Sequence, residues 1–351
     1  MTAELELIAT GARTPVGLTA EASAAAVRAG ISRIGEFPFI AANGAPVALG
    51  ADSLLDPRAQ GRARMWPLLQ SVVDQLLKTL GPRLARLPHG CEVLLAVPET
   101  RPGFPEAEAQ WLCQAVRAHL EARGVASRVV IAGRGHAGAL AAIESAMRQV
   151  AERRAQAEGP VFMVLGLDSH HHPDTLLWLE SGQRLALEGV PNGFIPGEAA
   201  GGLVLTTRAV RSAWGLPCLA VVTGAGVAHE SLLRTSETGS FGVALSQAVA
   251  RAASGLSLPD DAADAVYCDI NGERYRSEEW GFFAMRGSRA MRSPSYLAPC
   301  DCWGDVGAAF GPLATILAAQ SFIRRYAAGP RALVMAGSES GLRGAVFLRS
   351  P

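Results

Sequence analysis

The chain has 351 residues, 18% of them charged, with 32 Lys and Arg set against 32 Asp and Glu. That balance excludes the basic footprint of a nucleic-acid-binding protein, and no apolar run approaches the roughly 20 residues of a membrane span. All the basic residues but one are arginine, the exception being Lys78. Six cysteines are too sparse for a disulfide scaffold. The start, Met1-Thr2-Ala3-Glu4-Leu5, is acidic and carries no signal-peptide pattern, so a cytoplasmic, reducing setting is expected.

In chain order, Leu5 to Ala9 reads as a strand, Thr14 to Gly17 as a turn and about 19–29 as an Ala-rich helix. Leu68, Leu69, Val72, Val73, Leu76 and Leu77 make one apolar face of a helix over 66–80. Cys91 to Val97 is an almost unbroken apolar run, the pattern of a strand buried on both faces. A helix at about 106–123, a strand at Arg128 to Ala132 and a long helix from Gly135 to about 157 follow. Val161 to Gly166 and Gly201 to Thr206 read as further strands. Beyond a boundary near 210–216 the alternation repeats. Leu219 to Val222 and Val266 to Ile270 are strands, 239–253 and 308–326 helices, and Ala332 to Met335 with Ala345 to Leu348 a final strand pair. This pattern predicts an α/β fold with a largely parallel sheet.

Two local signals point to chemistry and are outweighed. The run His170-His171-His172 after Asp168 suggests a metal, but successive side chains diverge, and no zinc-type Cys/His spacing accompanies them. A solvated loop is the expectation. Gly133-Arg134-Gly135 lies between strand and helix, yet lacks the third glycine and the acid of a dinucleotide fingerprint. Neither metal nor cofactor is expected.

Four stretches carry a resemblance. They are Ile8 to Gly17, with the helix ending Arg28-Ala29-Gly30; Gly193-Phe194-Ile195-Pro196-Gly197-Glu198-Ala199-Ala200-Gly201-Gly202; Gly304-Asp305-Val306-Gly307-Ala308-Ala309-Phe310-Gly311; and the loop Gly337 to Gly344. In this order they resemble the β-ketoacyl synthases of the thiolase superfamily. The second is similar to that family's Gly-Phe-Val-x-Gly-Glu-Gly-Ala-Gly segment and the third to its Gly-His-Thr-x-Gly-Ala-Ala-Gly segment. The resemblance implies two duplicated halves, 1–210 and 211–351, packed as five layers, α/β/α/β/α.

It also implies where the chemistry would sit. Aligning Leu140, Ala142, Ile143 and Ala146 with the family's helix puts His136 at the position of the nucleophilic cysteine; a one-residue slide puts Gly135 there. The first catalytic histidine falls on Asn271, whose motif's downstream acid falls on Glu279, and the second on Asp305. The family's lysine falls on Cys300. The loop residues Gly337, Ser338 and Glu339 replace an aromatic, glycine-rich loop. Condensation needs a thiolate lowered by a helix N-terminus and two imidazoles for a developing enolate oxygen. An ionised Asp305 would repel that oxygen, although Asn271 could still donate one hydrogen bond to it.

Two functions follow from the resemblance. One is a non-condensing pseudoenzyme, a bacterial binding or adaptor partner that dimerises with itself or a relative through its N-terminal half. Its expected partners are an acyl carrier protein or coenzyme A thioester, or a secretion effector. The other is an acyl-thioester transferase or hydrolase that uses His136 and Asp305 as a general-base pair, with Cys300 nearby.

Overall fold

A computed structural model describes residues 4–152, 159–236, 239–286 and 289–351. Its first half comprises β1 (Leu5–Arg13), α1 (Ala20–Arg28), the hairpin β2 (Ile34–Ile40) and β3 (Pro46–Gly50), α2 (Arg62–Leu84), β4 (Cys91–Val97) and α3 (Glu106–Glu121). It continues with β5 (Ser127–Arg134), α4 (Gly138–Glu152), β6 (Val161–Ser169), α5 (Pro173–Ser181), β7 (Glu198–Thr206) and α6 (Arg208–Ala213). Then come β8 (Ala220–His229), α7 (Val243–Ala252), β9 (Ala265–Cys268), α8 (Arg274–Arg286), α9 (Cys300–Trp303), a single 3-10 turn Gly307–Ala309, α10 (Phe310–Ile323), β10 (Arg331–Gly337) and β11 (Leu342–Arg349). The long helix expected to reach about 157 is α4, described to Glu152; 153–158 lie outside the described residues, as do Met1 to Ala3.

Nine strands form one hydrogen-bonded sheet in the order β5-β4-β6-β7-β1-β8-β11-β10-β9. Outward from the β1/β8 junction, the two sides repeat one plan. β1–β7 and β7–β6 are antiparallel and β6–β4 parallel, just as β8–β11 and β11–β10 are antiparallel and β10–β9 parallel. Beyond β4 lies parallel β5; beyond β9 the isolated parallel bridges Ala263↔Met291 and Tyr267↔Leu297 stand in place of an equivalent strand. The expectation of a largely parallel sheet is therefore corrected. Five of its eight junctions are antiparallel, because β7 and β11 each run back beside the strand before them.

Five layers result. α2 and α3 cover the outer face of the first half-sheet, with Leu68, Val72, Leu76, Leu112 and Val116 fully sequestered against β4 and β6. α7 and α8 cover the outer face of the second through Leu245, Val249 and Phe283. α4 and α10 fill the centre, where Leu140, Ile143, Leu313 and Ile316 share one core with both half-sheets. α10 is apolar all round and buried along almost its whole length, as a central helix must be. Small residues let the two central helices approach: a Cβ on Gly311 would lie 3.0 Å from that of Ala139.

Candidate functional site

Three loops at the end of the central layer converge. β5 ends at Arg134, and Gly135, at φ +65°, turns the chain so that His136 stands just ahead of α4. Asn271 follows β9 and fixes its own turn, its Oδ1 accepting from Glu273 N–H at 3.0 Å. Asp305 follows Gly304, whose φ of +77° suits glycine. The Gly193–Gly202 stretch pins it there. Gly197 N–H donates to Asp305 O, and Asp305 N–H donates to Ile195 O, each at 2.8 Å.

The Asp305 carboxylate is the hub of the site. Its Oδ1 accepts from His136 Nε2 at 2.7 Å and from Gly307 N–H at 2.8 Å, and its Oδ2 accepts from Asn271 Nδ2 at 2.5 Å. Burial works against the charge, but His136, Arg276 and His170 overcome it and hold the carboxyl well below the usual range. The same pair raises His136: burial and the Arg276 charge oppose protonation, and the Asp305 charge and hydrogen bond outweigh them. The structure thus brings His136, Asn271 and Asp305 together, as one self-contained cluster. Asn271 has no free donor, since its Nδ2 serves Asp305 and, at 3.2 Å, Glu273.

Around this hub lies a buried charge network that the sequence did not reveal. Arg276, on the first turn of α8, pairs with Asp269 and donates to Gly337 O at 2.8 Å. Its Nη2 stands 3.2 Å from His136 Nδ1 and 3.4 Å from Nε2, distances so similar that it lies over the ring rather than in line with either nitrogen. Arg184 binds Glu273 at 2.8 Å and Glu339 at 2.7 Å. The signal was faint: α8 is polar on average, so nothing in its sequence marks Arg276 as buried.

The backbone donors nearby are taken too. Ala137 N–H donates to Ser338 Oγ at 3.0 Å, and Ser338 Oγ donates to Arg134 O at 2.8 Å. The Glu99 carboxylate accepts from Glu339 N–H at 3.0 Å and Ser340 N–H at 2.8 Å. The void lined by His136, Asn271, Cys300, Trp303 and Asp305 measures about 10 Å³, at the lower limit for one water.

Several expectations are corrected. Glu279 is not in the site; it binds Arg343 and Ser240, and Glu273 is the acid that touches Asn271. Cys300 borders the void, where burial and then Asp301 push its thiol far up, and its Sγ donates to Ile270 O at 3.0 Å. The three histidines do not form a solvated loop. His170 and His171 are buried, with His170 Nδ1 on Gly197 O at 3.2 Å and His171 Nε2 on Pro57 O at 2.9 Å. His172 caps α5, its Nδ1 accepting from Asp174 N–H at 3.2 Å. Lys78 is exposed on α2, outside the cluster.

No protein-family model and no curated protein sequence matches the chain. Solved structures do. A type II polyketide synthase ketosynthase, bound to a hexaketide and in complex with its acyl-carrier protein, superposes over 100% of both chains with a TM-score of 0.79 at 13% identity. The chain has the ketosynthase fold. The ketosynthase of module 6 of the bacillaene synthase from Bacillus subtilis 168 aligns with 99% of this chain and 72% of its own, with a TM-score of 0.77 at 13% identity. The ishigamide ketosynthase/chain length factor aligns over 99% of each chain, with a TM-score of 0.71 at 20% identity. At this identity the likeness carries architecture, and the chemistry rests on the residues above.

Proposed function

We propose that the chain is a non-condensing member of the ketosynthase fold that acts as a dimeric binding or adaptor partner in the cytoplasm. The observation that carries this reading is the occupancy of Asp305. A condensing site must offer donors to an oxygen that becomes negative in the transition state. Here a permanent internal carboxylate takes those donors, His136 Nε2, Asn271 Nδ2 and Gly307 N–H, before any substrate arrives. No thiol stands ahead of α4, and the void between His136, Asn271 and Asp305 has room for about one water.

The dimer is proposed through β5. It is one of the two edge strands of the sheet, and Val130, Ile131 and Ala132 along it stay only partly covered, whereas Val164 and Leu165 in the interior strand β6 are fully buried. An open apolar edge is a template for pairing with a second chain. The halves 1–210 and 211–351 are proposed as duplicates, supported by their matching strand order. One fold neighbour is a chain length factor assembly and another a ketosynthase with its acyl-carrier protein, which makes an acyl carrier protein the proposed partner class. All six cysteines are unpaired, and no helix among the described residues is long and apolar enough to cross a membrane.

The alternative, a His136/Asp305 hydrolase or transferase, draws on their 2.7 Å contact and on a cavity of about 230 Å³ that borders His136. Against it, Asp305 already occupies His136 Nε2 together with Asn271 and Gly307 N–H, and burial holds the Cys300 thiol protonated. Thiol release from acetyl- and malonyl-coenzyme A separates the readings. The proposed function predicts no release above buffer; release that disappears in His136→Ala supports the hydrolase.

A further inference from the structure

The cavity of about 230 Å³ is lined by Glu99, Arg101, Asp168, His170, Trp178 and Glu339, among others. At about 30 Å³ per water it holds the equivalent of seven or eight water molecules, the room a compact ligand needs. An acyl chain would strip solvent from these charged side chains without replacing its hydrogen bonds.

The charges are unequal. Asp168 is answered by Arg101 at 2.6 Å, and Glu339 by Arg184 at 2.7 Å. Glu99 accepts only from backbone N–H groups and makes no salt bridge among the described residues, although Arg101 and His136 line the same cavity. An independent feature points the same way. His170 is more than nine-tenths buried, and its Nδ1 must carry the proton, because its partner is the carbonyl of Gly197. Nε2 is therefore an acceptor, with no hydrogen-bond partner among the described residues. Burial and then the Arg101 charge keep the ring neutral by lowering its pKa. The indole of Trp178 supplies a wall with a negative π-face. No cluster among the described residues could hold a metal ion, so a bare divalent cation does not fit this arrangement.

We propose that this cavity binds a small primary ammonium ligand, with Glu99 as its counter-ion, His170 Nε2 as its hydrogen-bond acceptor and Trp178 as its aromatic wall. This does not depend on the non-condensing reading, since it concerns binding and not thioester chemistry. Arg101, whose Nε is buried without a partner, and His136, whose pKa is raised, are the lining groups that favour an anion.

Isothermal titration of the full chain with ethanolamine hydrochloride, and separately with sodium propionate, decides the matter. The proposal predicts saturable binding of ethanolamine and none of propionate, with the affinity for ethanolamine falling at least tenfold in Glu99→Gln. A second variant, Ser340→Phe, places a bulky ring at an exposed rim residue and keeps the backbone N–H that holds Glu99; it should lose binding while keeping the wild-type circular dichroism spectrum. Absence of ethanolamine binding, stronger binding of propionate, or affinity unchanged in both variants overturns the assignment.

Discussion

His136 Nε2 lies 2.7 Å from Asp305 Oδ1, and the same carboxylate accepts from Asn271 and from Gly307 N–H. Asp305 is thus a built-in anion in an anion site. Removing it should leave three donors facing a carboxylate-sized hole. Asp305→Ala is expected to lose stability and to regain a measurable part of it on adding millimolar formate or acetate, seen as a rise in melting temperature absent from wild type. Equal responses of the two proteins would show that the donors do not form a site.

Arg276 neutralises Asp269 and stands over the His136 ring from a position that is 4% exposed. Arg276→Met leaves those buried charges unmatched and should destabilise the chain by about 3–5 kcal/mol in urea unfolding. A loss below about 1 kcal/mol would mean that water reaches the cluster.

Sequence reasoning found the fold and the three converging loops because these are written in local pattern. Gly304-Asp305-Val306-Gly307 and Val266 to Gly272 can be read in order, and the apolar runs of β4 and β6 mark strands buried on both faces. What it missed is relational. Arg184, Arg276 and Glu99 look like surface residues until the fold apposes them, and the sequence of His170 and His171 suggests a solvated loop because their partners, Gly197 O and Pro57 O, are backbone atoms distant in sequence. Strand direction was missed for a similar reason: an apolar run reads the same whichever way its neighbour points.

Stability should fall on acidification in two stages. His170 and His171 have pKa values lowered from 6.5, chiefly by burial. The unfolded chain therefore binds their protons first, and their contribution, present above about 6.5, is lost as pH falls towards their folded values. His136 is raised and acts in the opposite sense, contributing below 6.5 and losing its contribution as pH rises through its folded value. With two rings against one, the urea midpoint should drop between pH 7 and 5, and His171→Gln should flatten that slope. Asp168, Asp305 and Glu339 are all lowered, so their contribution disappears only below the ordinary carboxylate range. A midpoint that rises from pH 7 to 5 contradicts these assignments.

Self-association through β5 predicts a dimer mass in light scattering after gel filtration. Ile131→Lys places a charge on the open edge, where Ile131 is only partly covered. It should shift the dissociation constant upwards by at least tenfold with secondary structure unchanged. A wild-type monomer at tens of micromolar, or a variant dimer of equal affinity, would move the interface elsewhere.

On the proposed function, Asp305 and its donors close this site to acyl chemistry. Intact-mass spectrometry after incubation with acetyl- and malonyl-thioesters, on coenzyme A and on an acyl carrier protein, tests it most directly. The account predicts an unmodified mass for the chain. A stoichiometric acyl adduct that disappears in His136→Ala would contradict it.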